Sequence, residues 1–223
     1  MTDELNELRG RLLSDLVPVQ RVLPATLVAL LWLGASVLYV LAIMLWIGPL
    51  RPGALQQLME YPQFTTEMLS GVGSLVCLSV AAMRMSVPGS PTRMLLLLGW
   101  TLGAVWVGHI VVGLWLPPFA PSMLGKREWC VFEAYVYSVP PLVWALWLQR
   151  RRYVLDPMRT SLYAALAAGL VPALAMQVVC MYDPVHILNF HVAPVAALAA
   201  AVGAGTWIVR RLIPYATVRE KRT

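Results

Sequence analysis

The sequence predicts an all-α, polytopic membrane protein, a bundle of six transmembrane helices. Of its 223 residues, 59% are hydrophobic and only 13% are charged, and the mean hydropathy is +0.70. These values lie far outside the range of soluble globular domains. The apolar residues form long runs near or above the ~20 residues that a helix needs to cross a bilayer. Because the runs lack two-residue alternation, they exclude a transmembrane β-barrel.

The apolar runs define six spans and the segments that flank them. The predicted spans are 23–50, 65–83, 94–116, 129–148, 160–182 and 187–209. We divide the chain into a leader helix at 1–22, a transmembrane domain at 23–213 and a basic tail at 214–223. The first run is too long, and the leader too polar, for a cleaved signal peptide, so we expect the leader to be retained. Prolines inside the later spans predict kinks, either movable or static, at Pro140, Pro141, Pro172 and Pro194.

The basic residues predict the orientation of these spans, because cytoplasmic loops collect Lys and Arg. Three of the 17 basic residues lie on one side, namely Arg51, Lys126 and Arg127. The other side carries the rest: Arg9, Arg11, Arg21, Arg84, Arg93, Arg150, Arg151, Arg152, Arg159, Arg210, Arg211, Arg219, Lys221 and Arg222. Both termini are therefore predicted to be cytoplasmic. The net charge of +6 is explained by topology and lipid contact, and needs no direct nucleic-acid partner.

Potential ligand side chains gather near the outer face in this topology. They are Cys130, Cys180, His109, Glu133, Asp183, His186 and His191. The two cysteines face an oxidising compartment and can form a disulfide if their Cα atoms come within ~7 Å. The alternative is a soft transition-metal site of thiolate and imidazole. The spacing does not strongly favour the metal site, because there is no C-x-x-C or H-x-x-x-H motif and His186 and His191 would lie about 140° apart on an α-helix. Cys77 is predicted to lie deeper, as a packing residue.

The leader carries an apolar stripe at helical spacing. Leu5, Leu8, Leu12 and Leu16 recur along one face, and Pro18 ends the pattern. Such a helix can lie flat on the membrane or dock in the groove of a cytoplasmic protein. The pattern alone does not choose between the two.

Three segments carry a resemblance to a known family. They are "LLSDLVPVQRVLP" in the leader, "WCVFEAYVYSVPPLVWALWLQRR" in the fourth span and "CMYDPVHILNFHVAP" between the last two spans. Together they resemble the NrsF-type family, the negative regulators of sigma F. The resemblance implies a six-helix anti-sigma factor of the bacterial inner membrane, which restrains an extracytoplasmic-function sigma factor. It also implies that the leader leucines bind sigma, and that Cys130 and Cys180 are the family's pair for sensing metal or oxidative stress.

The rival class is an enzyme, either a membrane thiol oxidoreductase or a haem- or metal-binding membrane subunit. A thiol oxidase would be expected to carry a C-x-x-C motif or a second cysteine pair. A dihaem bundle needs four axial ligands, and the chain has three histidines. A small transporter would show inverted repeats and charges near the midplane, which this sequence lacks. We therefore expect a regulator that has no enzymatic activity. Its candidate cofactor is the soft transition metal considered above, at the periplasmic face.

Overall fold

The computed structural model describes residues 23–90, 92–121, 123–152 and 154–212. Within these ranges the regular structure is entirely helical, which confirms the all-α prediction. The sigma-docking leucines Leu5, Leu8, Leu12 and Leu16, like the tail 214–223, lie outside the described residues. We number the helices α1 Ala25–Ile47, α2 Ala54–Glu60, α3 Pro62–Arg84, α4 Arg93–Val112, α5 Cys130–Arg150, α6 Pro157–Val179, α7 Pro184–Ile187 and α8 Ala193–Leu212.

Six helices of the described chain are long and apolar enough to cross a membrane, as predicted. Five of them are α1, α3, α4, α5 and α6. The sixth is one run, Pro184–Leu212, in which α7 and α8 are joined by the π-helix Leu188–Val192. An even number of crossings returns the described chain to the side on which it started.

The helix boundaries differ from the prediction mainly at the loops. The first span ends at Ile47, short of the predicted residue 50, because Pro49 and Pro52 follow and cannot continue a helix. The sixth begins at Pro184, three residues early. Asp183 caps it by accepting from the backbone N–H of His186, and proline suits the first helical position. The short helix α2 was not predicted.

Helices α3 and α6 form the centre of the bundle. About two thirds or more of each central stretch is buried, at 67% and 72%, against 17% for α4. Alanines of α6 at 164, 165, 167 and 168 are almost wholly buried and allow close approach of its neighbours α3, α5 and α8. At Gly71 in α3, an added Cβ would collide with a side-chain methyl of Leu174 and crowd the Trp106 ring, so a larger residue would require the Leu174 side chain to shift.

The two ends of the bundle have different chemistry. The cysteine end carries Cys130 at the start of α5 and Cys180 just after α6. The arginine end carries Arg84, Arg93, Arg150, Arg151, Arg152, Arg159, Arg210 and Arg211. We keep these two names below. That the arginine end faces the cytoplasm remains a prediction from its charge.

Candidate functional site

Four predicted side chains meet at the cysteine end. The Sγ atoms of Cys130 and Cys180 lie 2.9 Å apart, and the Cys130 Sγ lies 3.4 Å from Nε2 of His191. With His186 they form a group whose ligand atoms all lie within 4.8 Å of one another. Both cysteines are free thiols. We call Cys130, Cys180, His186 and His191 the cluster.

Three different helices supply the cluster. Cys130 is the first residue of α5, and Cys180 follows the last residue of α6 in extended conformation, with its N–H bonded to the carbonyl of Met176. Tyr182 and Asp183 then turn the chain into the sixth span, which carries both histidines. The cluster therefore holds the cysteine ends of α5, α6 and the sixth span together.

The π-helix Leu188–Val192 explains how two histidines five residues apart come together. In an α-helix they would point about 140° apart, whereas a π-helix pairs residue i with residue i+5. The wider turn brings His191 back toward His186, and their ring centroids lie 5.5 Å apart at a steep angle. Short π segments are rare and concentrate at functional sites. No pattern in the sequence predicts this π turn.

The cluster is buried, with one side facing a pocket. Cys180 and His191 are fully buried, Cys130 is 2% exposed, and His186 is half-buried. A pocket of about 680 Å³ opens at this point and is lined by Cys130 and His186, together with Met123, Met181 and Trp129. A small ion or oxidant entering here meets Cys130 and His186 before it meets Cys180.

The donor set fits a soft metal ion. Two cysteines and two histidines form a common four-coordinate zinc set. Nε2 of His186 is buried and has no hydrogen-bond partner, so it is an available ligand atom. The hydrogen bond from the Cys130 thiol lowers the pKa of Cys180; burial opposes this, and the rings of His186 and His191 lower it further. A thiolate is the form that binds metal or attacks an oxidant.

Comparison with known families identifies the family of this chain. The chain matches the family described as "Negative regulator of sigma F", NrsF, over residues 12–215. The chain belongs to the NrsF family. No significant match was found among curated proteins or solved structures. The family resemblance predicted from the sequence is thus confirmed, and it supports an anti-sigma role with a sigma factor as the partner of this NrsF protein.

Glu133, predicted as a possible ligand, lies outside the cluster. Its carboxylate pairs with Arg127, with Nη1 and Oε2 separated by 3.2 Å and both side chains largely buried. Nη2 of Arg127 also donates to the carbonyls of Met44 and Gly48 at the end of α1. In this NrsF protein Glu133 therefore anchors the first turn of α5 to α1.

The other predicted supporting residues also lie outside the cluster. Asp183 caps α7 by accepting from the His186 N–H at 3.0 Å, so it positions a cluster residue without joining the group. His109 lies in the last turn of α4 and is half-buried. Cys77 is buried in α3 and is not one of the four, in keeping with its predicted packing role.

Sequence reasoning missed a second buried polar group beside the cluster. The Tyr182 hydroxyl donates to Oε2 of Glu67 at 3.0 Å, and both side chains are fully buried. The guanidinium of Arg51, only 3% exposed, lies 5.8 Å from the Tyr182 ring centroid and 5.5 Å from that of Phe119. Burial and the Glu67 carboxylate raise the pKa of Tyr182, so its hydroxyl stays a donor. A glutamate inside a predicted span is costly, and that was the available signal.

Proposed function

We propose that this NrsF protein is an anti-sigma factor of the bacterial inner membrane whose cluster is its sensor. In the resting state the leader holds an extracytoplasmic-function sigma factor. When the cluster binds a soft metal ion or its thiols are oxidised, the leader releases sigma and transcription of its regulon begins. The protein acts as a regulator and not as an enzyme.

The observation that carries this proposal is a buried set of two thiols and two imidazoles in a member of a sigma-regulator family. Family membership supports the output, a sigma factor. The cluster supports the input, because this donor set is suited to ions such as Zn²⁺ or Cd²⁺. The six apolar helices support a bilayer between the two.

In the metal-binding case, the four side chains would hold the ion and lose the two thiol protons. The bound cation supplies the charge that stabilises two thiolates close together. The protein residues determine how the ion reaches the cluster and which helices its binding affects. Cys130 and His186 face the pocket, and the cysteine ends of α5, α6 and the sixth span are tied through one centre.

In the redox case, Cys130 and Cys180 join in a disulfide. A peroxide is a sufficient oxidant: the two thiols give up two electrons and two protons, and the peroxide becomes two molecules of water. With the sulfurs already 2.9 Å apart, bond formation needs only a small approach. A hundredfold change in sigma binding requires about 2.7 kcal/mol of preference for one state. Either chemistry can supply that much free energy.

Changing the leader stripe tests the output. We expect Leu8→Glu with Leu12→Glu to abolish capture of sigma from native membranes and to leave the regulon constitutively on, because two charges enter the apolar face. The matched control, Gly10→Glu with Ser14→Glu, adds the same charge to the opposite face and should keep binding. Full capture by the first variant would move the docking surface away from the leader.

A further inference from the structure

The guanidinium of Arg127 joins α5, the helix that begins with Cys130, to α1. It bonds the Glu133 carboxylate at 3.2 Å, one turn from Cys130 in α5. It also donates to the carbonyls of Met44 at 3.2 Å and Gly48 at 3.4 Å. These carbonyls belong to the C-terminal end of α1, where a cation is favoured by the exposed ends of the carbonyl dipoles and by the helix dipole.

Burial makes this link rigid. The Arg127 and Glu133 side chains are only 13% and 14% exposed. A planar guanidinium presents several donors in a fixed fork, so it can hold a carboxylate and two carbonyls together. Breaking one partner of such a buried group leaves the others unsatisfied. A shift of Cys130 and the first turn of α5 therefore displaces the end of α1 with it.

Two further hydrogen bonds join α1 and α5, or residues next to them, nearer the arginine end. In the middle, the Trp32 indole N–H donates to the carbonyl of Pro141 at 2.9 Å. At the arginine end, Arg152, just past α5, donates to the carbonyl of Leu23 at 3.1 Å. Leu23 is the residue at which the predicted leader meets the first span. The two helices are thus linked at three levels, and the last link lies at the base of the leader.

The prolines of α5 give α1 a separate role. Pro140 and Pro141 remove two backbone donors from the middle of α5, which weakens it as a rigid rod. Helix α1 has no internal proline and passes the weakened point, bonded to it through Trp32. Because α5 can bend at its prolines, α1 transmits more of a displacement at the cysteine end to the leader than α5 does.

We propose that Arg127 is a positioning residue that couples the cluster to the leader, and that α1 is the element that transmits the displacement. This inference rests on the proposed function and deepens it. Arg127 touches neither the bound ion nor sigma. It acts by fixing the end of α1 relative to Cys130.

The test compares Arg127→Gln with Lys126→Gln, which removes the same charge from the exposed neighbour. Purified full-length protein is titrated with Zn²⁺, and hydrogen exchange is followed in peptides covering the leader and the start of α1. In cells, a sigma-dependent reporter is induced with Cd²⁺. We expect Arg127→Gln to bind Zn²⁺ within about threefold of wild type, but to lose the exchange response and at least tenfold of the induction. Lys126→Gln should behave as wild type.

A second pair of variants guards against misfolding of the first. Arg152→Gln removes the link to Leu23, whereas Arg151→Gln changes a neighbour that stacks on Trp147. Only Arg152→Gln should lose induction while Zn²⁺ binding is kept. If Arg127→Gln and Arg152→Gln both respond fully while wild type responds, the coupling route is wrong. If wild type itself shows no response to Zn²⁺, Cd²⁺ or peroxide, the proposed function fails instead.

Discussion

Two arginines at the cysteine end, Arg51 and Arg127, differ in burial from Arg159 and Arg210 at the arginine end. At the cysteine end, Arg51 and Arg127 are buried and bonded to carbonyls or a carboxylate, or stacked on aromatic rings. At the arginine end, Arg159 is 74% exposed and shares the half-exposed Asp156 with Arg210. The comparison teaches that counting basic residues gives topology only. Burial distinguishes the arginines packed inside the bundle from those at its surface.

The comparison depends most strongly on the predicted membrane topology, in which the cysteine end faces the periplasm and the arginine end faces the cytoplasm. We expect reporter fusions after residues 55, 123 and 184 to show periplasmic activity, and fusions after 88, 155 and 220 to show cytoplasmic activity. The effect is all-or-none, because each loop lies on one side. If fusions after 123 and 155 report the same compartment, the six-span topology is wrong.

The next largest effect should come from the cluster itself. We expect Cys130→Ser and Cys180→Ser each to weaken Zn²⁺ or Cd²⁺ binding by about 100-fold or more, or about 2.7 kcal/mol, because a thiolate ligand is lost. Sigma output should then stay at one level with or without metal or peroxide. Equilibrium dialysis and a sigma-dependent reporter measure the two effects.

Cys77→Ser is the control for both cysteine variants. It changes a thiol buried in α3, outside the cluster, and should respond as wild type does. A full response in both outer variants would make these cysteines structural. His186 and His191 would then be the next residues to test.

Matched tyrosine variants compare hydrogen bonds at the two ends. Tyr182→Phe leaves the buried carboxylate of Glu67 without its donor, and should cost about 1–3 kcal/mol of the free energy of unfolding. Tyr163→Phe, near the arginine end, removes only a 3.5 Å contact with Trp100 and should cost less than about 0.5 kcal/mol. Chemical denaturation in detergent measures both. Equal losses would contradict the contrast between the ends.

The smallest effect should follow loss of an exposed ion pair. Arg159→Gln removes a 3.4 Å contact to Asp156 that water and salt already screen. We expect a change within about 0.5 kcal/mol in the free energy of unfolding. A loss of several kcal/mol would show that the arginine end is as tightly organised as the cysteine end.

The sequence was sufficient to predict the six spans, because a bilayer imposes length and apolarity on every crossing helix. It also predicted that Cys130, Cys180, His186 and His191 lie at the same end of the bundle. It did not rank His186 and His191 above His109, Glu133 and Asp183, since distances between helices depend on packing that periodicity does not encode. Whether the leader leucines bind sigma is still a prediction.

Two further features were beyond sequence reasoning. Arg127 counted only as one of three outer charges, although it joins the nearby Glu133 to Gly48, which is distant in the chain. The angle between His186 and His191 was inferred for an α-helix and was therefore wrong for the π-helix that the chain adopts there.

That π turn has a consequence for alignments within the family. A π segment holds one residue more than the α-helical turn it replaces. A relative with an uninterrupted sixth helix would need its second histidine four positions after the first to keep both rings together, in the pattern H-x-x-x-H. This chain has H-x-x-x-x-H, from His186 to His191. A one-residue gap between these histidines in an alignment would then mark an α-helix in one protein and a π-helix in the other, with both rings in the same place. It would not indicate loss of the site.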